Sequence, residues 1–166
     1  TIVGGKLTVG QNAKAYDNTV GNGLTAGGTD AVIENNTIVG AVTINKVRTT
    51  FIGNDVTGTV TVSANNNVIK GNNISTTGNY AVDLGSKTGN NVTDNYLASS
   101  SHKGDGAVKF TNADNIVENN IPTIDVNVVA ESVWIGSNSS VVVTVPNATG
   151  NVTIKVNDKE YTVELD

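Results

Sequence analysis

IKGNNI, residues 69–74, contains the phrase that decides the fold: an apolar residue, two others, an asparagine, one more residue and a second apolar residue. Variants of this phrase recur between residues 19 and 121. A unit repeated about every twenty residues indicates a solenoid, in which each repeat buries its apolar side chains against its neighbours. The asparagines that mark the copies are Asn22, Asn36, Asn54, Asn72, Asn95 and Asn119.

A second phrase alternates with the first and is typical of a short strand with every other side chain apolar. Because such a strand makes only half of a buried surface, we expect equivalent strands of successive coils to stack. The stretches are KLTV (6–9), AVTI (41–44), TVTV (59–62), AVDL (81–84) and AVKF (107–110). Stacking would place Val42, Val60, Val82 and Val108 in one inward row, Ile44, Val62, Leu84 and Phe110 in a second, and Thr43, Thr61, Asp83 and Lys109 outside.

Together the phrases predict an all-β protein whose first domain, residues 1–121, is a right-handed parallel β-helix of about five coils. Asparagine suits its corners, since it tolerates left-handed backbone and its amide bonds the asparagine one coil away. The step from Asn22 to Asn36 is short for a coil, which leaves the register of the first copy open. Later steps lengthen, so we expect loops at STTGNY (75–80), GSKTGN (85–90) and ASSSHKGDG (98–106).

The composition argues against a nucleic-acid-binding protein and against a membrane-spanning segment. Charged residues are 15% of the chain, cysteine is absent, and the net charge of −5 comes without any cluster of Lys or Arg. We expect no nucleic-acid partner, since phosphate binding needs concentrated positive charge. No apolar run is long enough to cross a membrane, and we expect no cofactor.

The pattern changes at Pro122, which cannot donate to a β ladder and marks a boundary. Residues 122–166 alternate apolar and polar positions in longer strands joined by turns, as antiparallel hairpins do. We predict a partial Ig-like β unit with Trp134 as its core anchor. One face of its sheet needs a cover, so we expect an incomplete module that a further segment or another chain completes by edge pairing, which would allow self-association. Packing of the sheet on the last coil is the alternative.

Three stretches carry a family resemblance: NNVIKGNNI (66–74), NIVENNI (115–121) and VPNATGNVTIKVNDKEYTVEL (145–165). In them the chain resembles the adhesin-like surface proteins of methanogenic archaea, which combine parallel β-helix repeats with Ig-like modules. The resemblance implies an extracellular location in the cell envelope and a structural role in attachment to glycans or partner proteins. It implies no enzymatic activity.

The alternative is a polysaccharide-degrading lyase or hydrolase, since such enzymes also use the β-helix. That chemistry needs clustered carboxylates, usually with a cation. The candidates are Asp83, Lys109 and Asp105. Arg48 has no acidic partner at coil spacing in this interpretation, and His102 is a solvated loop side chain, so we predict a protein that is not an enzyme.

The residue types also suggest a metal site and glycosylation sites. Asp94 and Glu118 occupy the same turn position of adjacent coils and could share a hard cation, but two solvated side chains are favoured, and we expect no metal. Asn147 and Asn91 begin sequons and are candidate glycosylation sites. The threonine row is too short for ice binding, and binding through loops on the rigid scaffold is favoured.

Overall fold

The computed structural model describes residues 4–122, 127–130, 141–144, 150–156 and 159–165. The chain divides into two compact units, Thr1–Thr123 and Ile124–Asp166, close to the predicted boundary after residue 121. Every regular element of the described residues is a β-strand except one 3₁₀ turn at Gly104–Ala107, which confirms the all-β class. None of these residues belongs to a helix long and apolar enough to span a bilayer.

The first unit is a parallel β-helix, as predicted, with three sheets whose neighbouring strands come from successive coils. Sheet 1 contains β1 (Leu7–Val9), β4 (Leu24–Ala26), β7 (Val42–Ile44), β10 (Val60–Val62), β13 (Val82–Gly85) and β16 (Val108–Phe110). Sheet 2 contains β2 (Lys14–Tyr16), β5 (Val32–Glu34), β8 (Thr50–Ile52), β11 (Val68–Lys70), β14 (Asn91–Thr93) and β17 (Ile116–Glu118). Sheet 3 contains β3 (Thr19–Val20), β6 (Thr37–Val39), β9 (Asp55–Thr57), β12 (Asn73–Ser75) and β15 (Tyr96–Ala98).

The regular coils span 18 residues, the separation of Asn36 from Asn54 and of Asn54 from Asn72. Their three-residue strands point alternate side chains into a continuous apolar core. The first predicted inward row is confirmed, because its members are in register and buried. They are Val42, Val60, Val82 and Val108.

The second inward row departs from the prediction at its last position. Ile44, Val62 and Leu84 are buried, whereas Phe110 is 41% exposed. A register shift in β13 pairs Phe110 with Gly85 instead of Leu84. Because a bulge adds one residue and re-aims the side chains beside it, the predicted inward position of Phe110 is wrong.

An asparagine ladder lies at the corner between sheet 2 and sheet 3. Each asparagine except the last donates from its backbone N–H and its Nδ2 to the Oδ1 of the asparagine in the next coil, at 2.8–3.1 Å. Nδ2 also bonds backbone carbonyls, so the buried amides are satisfied. The members are Asn18, Asn36, Asn54, Asn72, Asn95 and Asn120.

The predicted column is confirmed from Asn36 to Asn95 and wrong at both ends. Asn18 replaces Asn22, and Asn120 replaces Asn119. Asn119 instead occupies the preceding corner position, where the backbone is left-handed in every coil. Only glycine and, at modest cost, Asn or Asp adopt that conformation readily. The position is held by Asp17, Asn35, Gly53, Gly71, Asp94 and Asn119, with φ between 54° and 65°.

A second, shorter ladder, which sequence reasoning missed, lies at the corner between sheet 1 and sheet 2. The N–H of Thr49 donates to the Oδ1 of Asn67 at 2.8 Å, and Asn67 donates to Asn90 at 3.0 Å and 3.1 Å. Asn90 continues to Asn115 at 2.9 Å and 3.2 Å. The signal was available, because these asparagines each precede a sheet 2 strand.

The extra residues of the later coils collect at the third corner, between sheet 3 and sheet 1. Only residues 58–59 join β9 to β10, whereas residues 76–81 join β12 to β13 and residues 99–107 join β15 to β16. We call these longer connections the first and the second corner loop. The predicted insertion at GSKTGN is a single residue, the bulge at Gly85, since the connections 86–90 and 63–67 are of equal length.

The second unit, taken by itself, contains two antiparallel strand pairs. β18 (Asn127–Ala130) pairs with β19 (Val141–Thr144), and β20 (Gly150–Val156) pairs with β21 (Lys159–Leu165). Val156 opposite Lys159 closes the last pair as the predicted hairpin. Trp134 lies outside the described residues, and the Ig-like assignment and self-association stay predictions.

Candidate functional site

Asp83 and Lys109, the two outward candidates of sheet 1, are neighbours as predicted. They face each other in the register of β13 and β16, and Nζ of Lys109 lies 3.0 Å from Oδ2 of Asp83. Oδ1 of Asp83 accepts the N–H of Gly85 at 2.9 Å. Both carboxylate oxygens are therefore engaged, whereas the exposed ammonium of Lys109 keeps donors for a ligand.

These two side chains line one wall of an open pocket of about 340 Å³, which we call pocket A. Its lining is polar apart from the ring of one tyrosine, and the first corner loop supplies that tyrosine together with an asparagine. The lining residues are Thr59, Asn79, Tyr80, Asp83 and Lys109. The predicted loop STTGNY thus contributes directly to the site.

The second corner loop fastens the first in place. Oγ of Ser99 donates to the carbonyl of Asn79 at 3.0 Å, and the N–H of Ser100 donates to the carbonyl of Gly78 at 3.0 Å. Because these bonds join backbone to a neighbouring coil, the two loops form one rim beside pocket A. Because the rim is already fixed, less conformational entropy is lost when a ligand binds.

His102 belongs to the same rim. Its ring stacks on the ring of Tyr80, with centroids 4.6 Å apart and planes 12° apart. Nδ1 of His102 lies 2.9 Å from the carbonyl oxygen of Asn79. The prediction of a solvated loop side chain is therefore wrong: His102 is half-buried and holds the orientation of an aromatic ring that lines the pocket.

Asp105, the third predicted candidate, lies in the 3₁₀ turn of the second corner loop and has a structural partner. Its Oδ1 accepts the N–H of Asn120 at 2.9 Å and Nδ2 of Asn120 at 2.7 Å. It is not part of the lining of pocket A. Asp83 is consequently the one acid among the described residues that line this pocket.

Arg48 does have an acidic partner at coil spacing, contrary to the prediction. Nε and Nη2 of Arg48 donate to the two carboxylate oxygens of Asp30, at 2.7 Å and 2.9 Å, across a separation of 18 residues. This pairing lowers the pKa of Asp30, chiefly through the hydrogen bond from Arg48. Both residues have left-handed backbone at the corner before sheet 2, so the pair is a bridge between coils.

The predicted equivalence of Asp94 and Glu118 is wrong. Asp94 aligns with Asn119 at the left-handed corner position, whereas Glu118 pairs with Thr93 within sheet 2. Nζ of Lys70 lies 3.3 Å from the Asp94 carboxylate and so neutralises it. Within the described residues, no group of three or more His, Cys, Asp or Glu side chains is placed to hold a metal ion.

The glycosylation candidates receive no further support. Asn91 is half-buried in β14 between Val68 and Ile116, and its Oδ1 is buried without a hydrogen-bond partner. Thr93, the third residue of that sequon, is 7% exposed. Asn147 lies outside the described residues, and modification at either site stays a prediction.

A second pocket, which we call pocket B, is also lined in part by the first corner loop. It has a volume of about 270 Å³ and is lined by Thr57, Gly58, Ser75, Thr76 and Thr77. Oγ1 of Thr76 lies 3.1 Å from Oγ1 of Thr59, which lines pocket A. Sequence reasoning missed pocket B, since its hydroxyls come from two coils.

The outward threonine row of sheet 1 is longer than predicted. Thr8, Thr25, Thr43 and Thr61 stand in register across β1, β4, β7 and β10. Asp83 and Lys109 then replace threonine on the strands nearest pocket A. The row consists of threonines along the regular coils and of charged residues in the coils that carry the corner loops.

Comparison of the chain with protein-family models, with curated proteins and with solved structures gave no match. The fold and the two pockets therefore carry the functional argument.

Proposed function

We propose that this chain is an adhesin-like structural module of the extracellular cell envelope, and that it attaches by binding a glycan in pocket A. The observation that carries the proposal is the construction of that pocket. Two loops interrupt an otherwise regular coil at one corner, are bonded to each other and present a fixed tyrosine beside polar groups. Binding residues tend to stand on loops that a rigid scaffold positions, and the β-helix is such a scaffold.

The lining of pocket A favours a polyhydroxylated ligand. Thr59, Asn79 and Lys109 supply hydroxyl, amide and ammonium groups, which can donate to or accept from sugar hydroxyls. The Tyr80 ring offers apolar surface for the C–H groups of a sugar ring and a phenol for its hydroxyls. A small concave site with a few convergent polar groups is typical of ligand binding.

Binding is favoured over glycoside hydrolysis because hydrolysis requires two carboxyl groups with different roles. Pocket A contains Asp83 alone among the described lining residues, and both of its oxygens already accept hydrogen bonds. Asp105, the other acid of the sequence-based set, is engaged by Asn120. The arrangement therefore supports recognition of a glycan without turnover.

The test is a glycan array followed by calorimetric titration of the best binder. Tyr80→Ala should weaken binding about tenfold or more, since it removes the aromatic surface of the pocket. Tyr16→Ala is the matched control, because Tyr16 is exposed on β2 and does not line the pocket. Absence of any binder, or equal binding by the wild type and Tyr80→Ala, would refute the proposal, as would release of new reducing ends from a polysaccharide panel.

A further inference from the structure

We propose that pockets A and B are adjoining subsites of one binding site, and that its ligand is an oligosaccharide of at least two sugar residues. The inference rests on the proposed function and names the ligand more closely. It commits to a chain of sugars that crosses the first corner loop.

The linings of the two pockets follow each other closely along the chain. Along the chain, Gly58 lines pocket B and the next residue, Thr59, lines pocket A. Likewise Thr77 lines pocket B, and Asn79 follows within the same loop and lines pocket A. Because consecutive Cα atoms are about 3.8 Å apart, the two linings are separated by only a few ångströms of backbone.

The divider between the pockets is the hydroxyl pair of Thr59 and Thr76. These oxygens are 3.1 Å apart, and Oγ1 of Thr59 also donates to the carbonyl of Tyr80 at 3.2 Å. Gly78 lies against this pair: a Cβ at residue 78 would come within 2.8 Å of Oγ1 of Thr59. Gly78 therefore packs closely on the divider, and the Thr59–Thr76 hydroxyl pair is the point at which the two linings meet.

Size and lining favour occupation of both pockets by one ligand. Pocket A has about 340 Å³, at the lower end of the range of about 300–1,000 Å³ in which small ligands bind, and pocket B has about 270 Å³, below that range. Two weak sites that one ligand fills together gain affinity through effective concentration. Pocket B contributes hydroxyls and backbone without formal charge, whereas pocket A adds the tyrosine and the ion pair, so successive sugars meet different chemistry.

The experiment uses the whole chain and an array of mono-, di- and tetrasaccharides of hexoses, N-acetylhexosamines and hexuronic acids, followed by titration. The bound tetrasaccharide should have at least tenfold higher affinity than the monosaccharide of the same sugar. Thr57→Val and Thr77→Val remove exposed hydroxyls of pocket B. Each should lower the affinity for the tetrasaccharide about fivefold. Thr61→Val is the matched control, since Thr61 is an exposed threonine outside both linings.

Ser75→Ala provides an independent readout, since Ser75 lines pocket B alone. Loss of this exposed hydroxyl should weaken tetrasaccharide binding while leaving monosaccharide affinity within about twofold. If tetrasaccharide and monosaccharide bind equally, or if the pocket B variants bind as Thr61→Val does, the two-subsite inference is overturned and the proposed function stands. If no glycan binds, the proposed function fails and this inference fails with it.

Discussion

The carboxylate of Asp105 ends the asparagine ladder at Asn120, accepting both its N–H and its Nδ2 at 2.9 Å and 2.7 Å. Every earlier asparagine gives the same two donors to the Oδ1 of the next coil. An ionised aspartate accepts and does not donate, so it suits the last position of such a ladder and no other. The loop that supplies Asp105 is also the loop that fastens pocket A, which links the end of the solenoid to the candidate site.

Asp105→Ala should destabilise the first unit by about 1–3 kcal/mol, because it leaves two donors of a largely buried asparagine without their acceptor. Asp105→Asn should destabilise the first unit by about half as much, since the new amide keeps an acceptor oxygen but replaces the other oxygen with an N–H₂ donor. The measurement is the midpoint of urea unfolding, with the slope compared among variants. Glu34→Ala, which removes an exposed carboxylate of β5, is the control, and equal midpoints for it and Asp105→Ala would contradict the role given to Asp105.

Asn72→Ala should destabilise the protein by about 3 kcal/mol or more, because it removes a buried amide from the middle of the ladder. Its Oδ1 accepts from Asn54, and its Nδ2 bonds Asn95 and the carbonyl of Phe51. Asn73→Ala, one residue further along the chain, is the matched control. Asn73 is exposed, and its amide bonds Asp55 alone among the described residues. The change should alter the free energy of unfolding by no more than about 0.5 kcal/mol. Thermal unfolding of the pair measures the difference, and similar losses would show that the ladder contributes little.

Arg48→Ala should raise the pKa of Asp30 towards the ordinary value of an aspartate, because Arg48 stabilises the carboxylate in the folded protein. A depressed folded pKa means that this interaction is present above the unfolded pKa and is lost as pH falls through the folded pKa. An NMR titration of the Asp30 carboxyl carbon measures the shift. Lys46→Ala, which removes a nearby exposed cation, should leave the Asp30 titration unchanged, and an unchanged Asp30 pKa in Arg48→Ala would contradict the assignment.

His102→Ala should loosen the rim without unfolding the solenoid. It removes the ring stacked on Tyr80 and the contact to the carbonyl of Asn79, so the amide of Ser100, which bonds Gly78, should exchange with solvent about tenfold faster. The amide of Val42, which bonds Thr59, reports on the coils and should be unaffected. Lys103→Ala is the control variant, and the same exchange rate for Ser100 in both variants would exclude the stack as the fastening.

Sequence periodicity predicted the β-helix and the middle of the asparagine ladder because those features repeat every 18 residues with the same residue types. It failed at the ends, where Asn22 and Asn119 each lie near a second asparagine, Asn18 or Asn120. At Asn119 and Asn120 the choice requires the backbone conformation, since the first position is left-handed and the second carries the ladder amide. Asn22 lies at another corner, between β3 and β4, and Asn18 is the asparagine that stands 18 residues before Asn36. It failed for Arg48 although Asp30 lies 18 residues earlier, at the coil spacing itself, because this pair stands at a corner that neither repeated phrase covers.

The sequence by itself determined the solenoid, the first inward row, the second inward row as far as Leu84, the hairpin near the end of the chain and two of the residues that line pocket A. These features depend on local periods and on stacking between equivalent positions, which the chain repeats. Only the tertiary structure decided that Asp105 ends a ladder, that His102 orients Tyr80 and that Thr59 and Thr76 separate two pockets. Those relationships join loops of different lengths from successive coils, and the path of a loop depends on what it contacts, since its sequence has no period to fix its register.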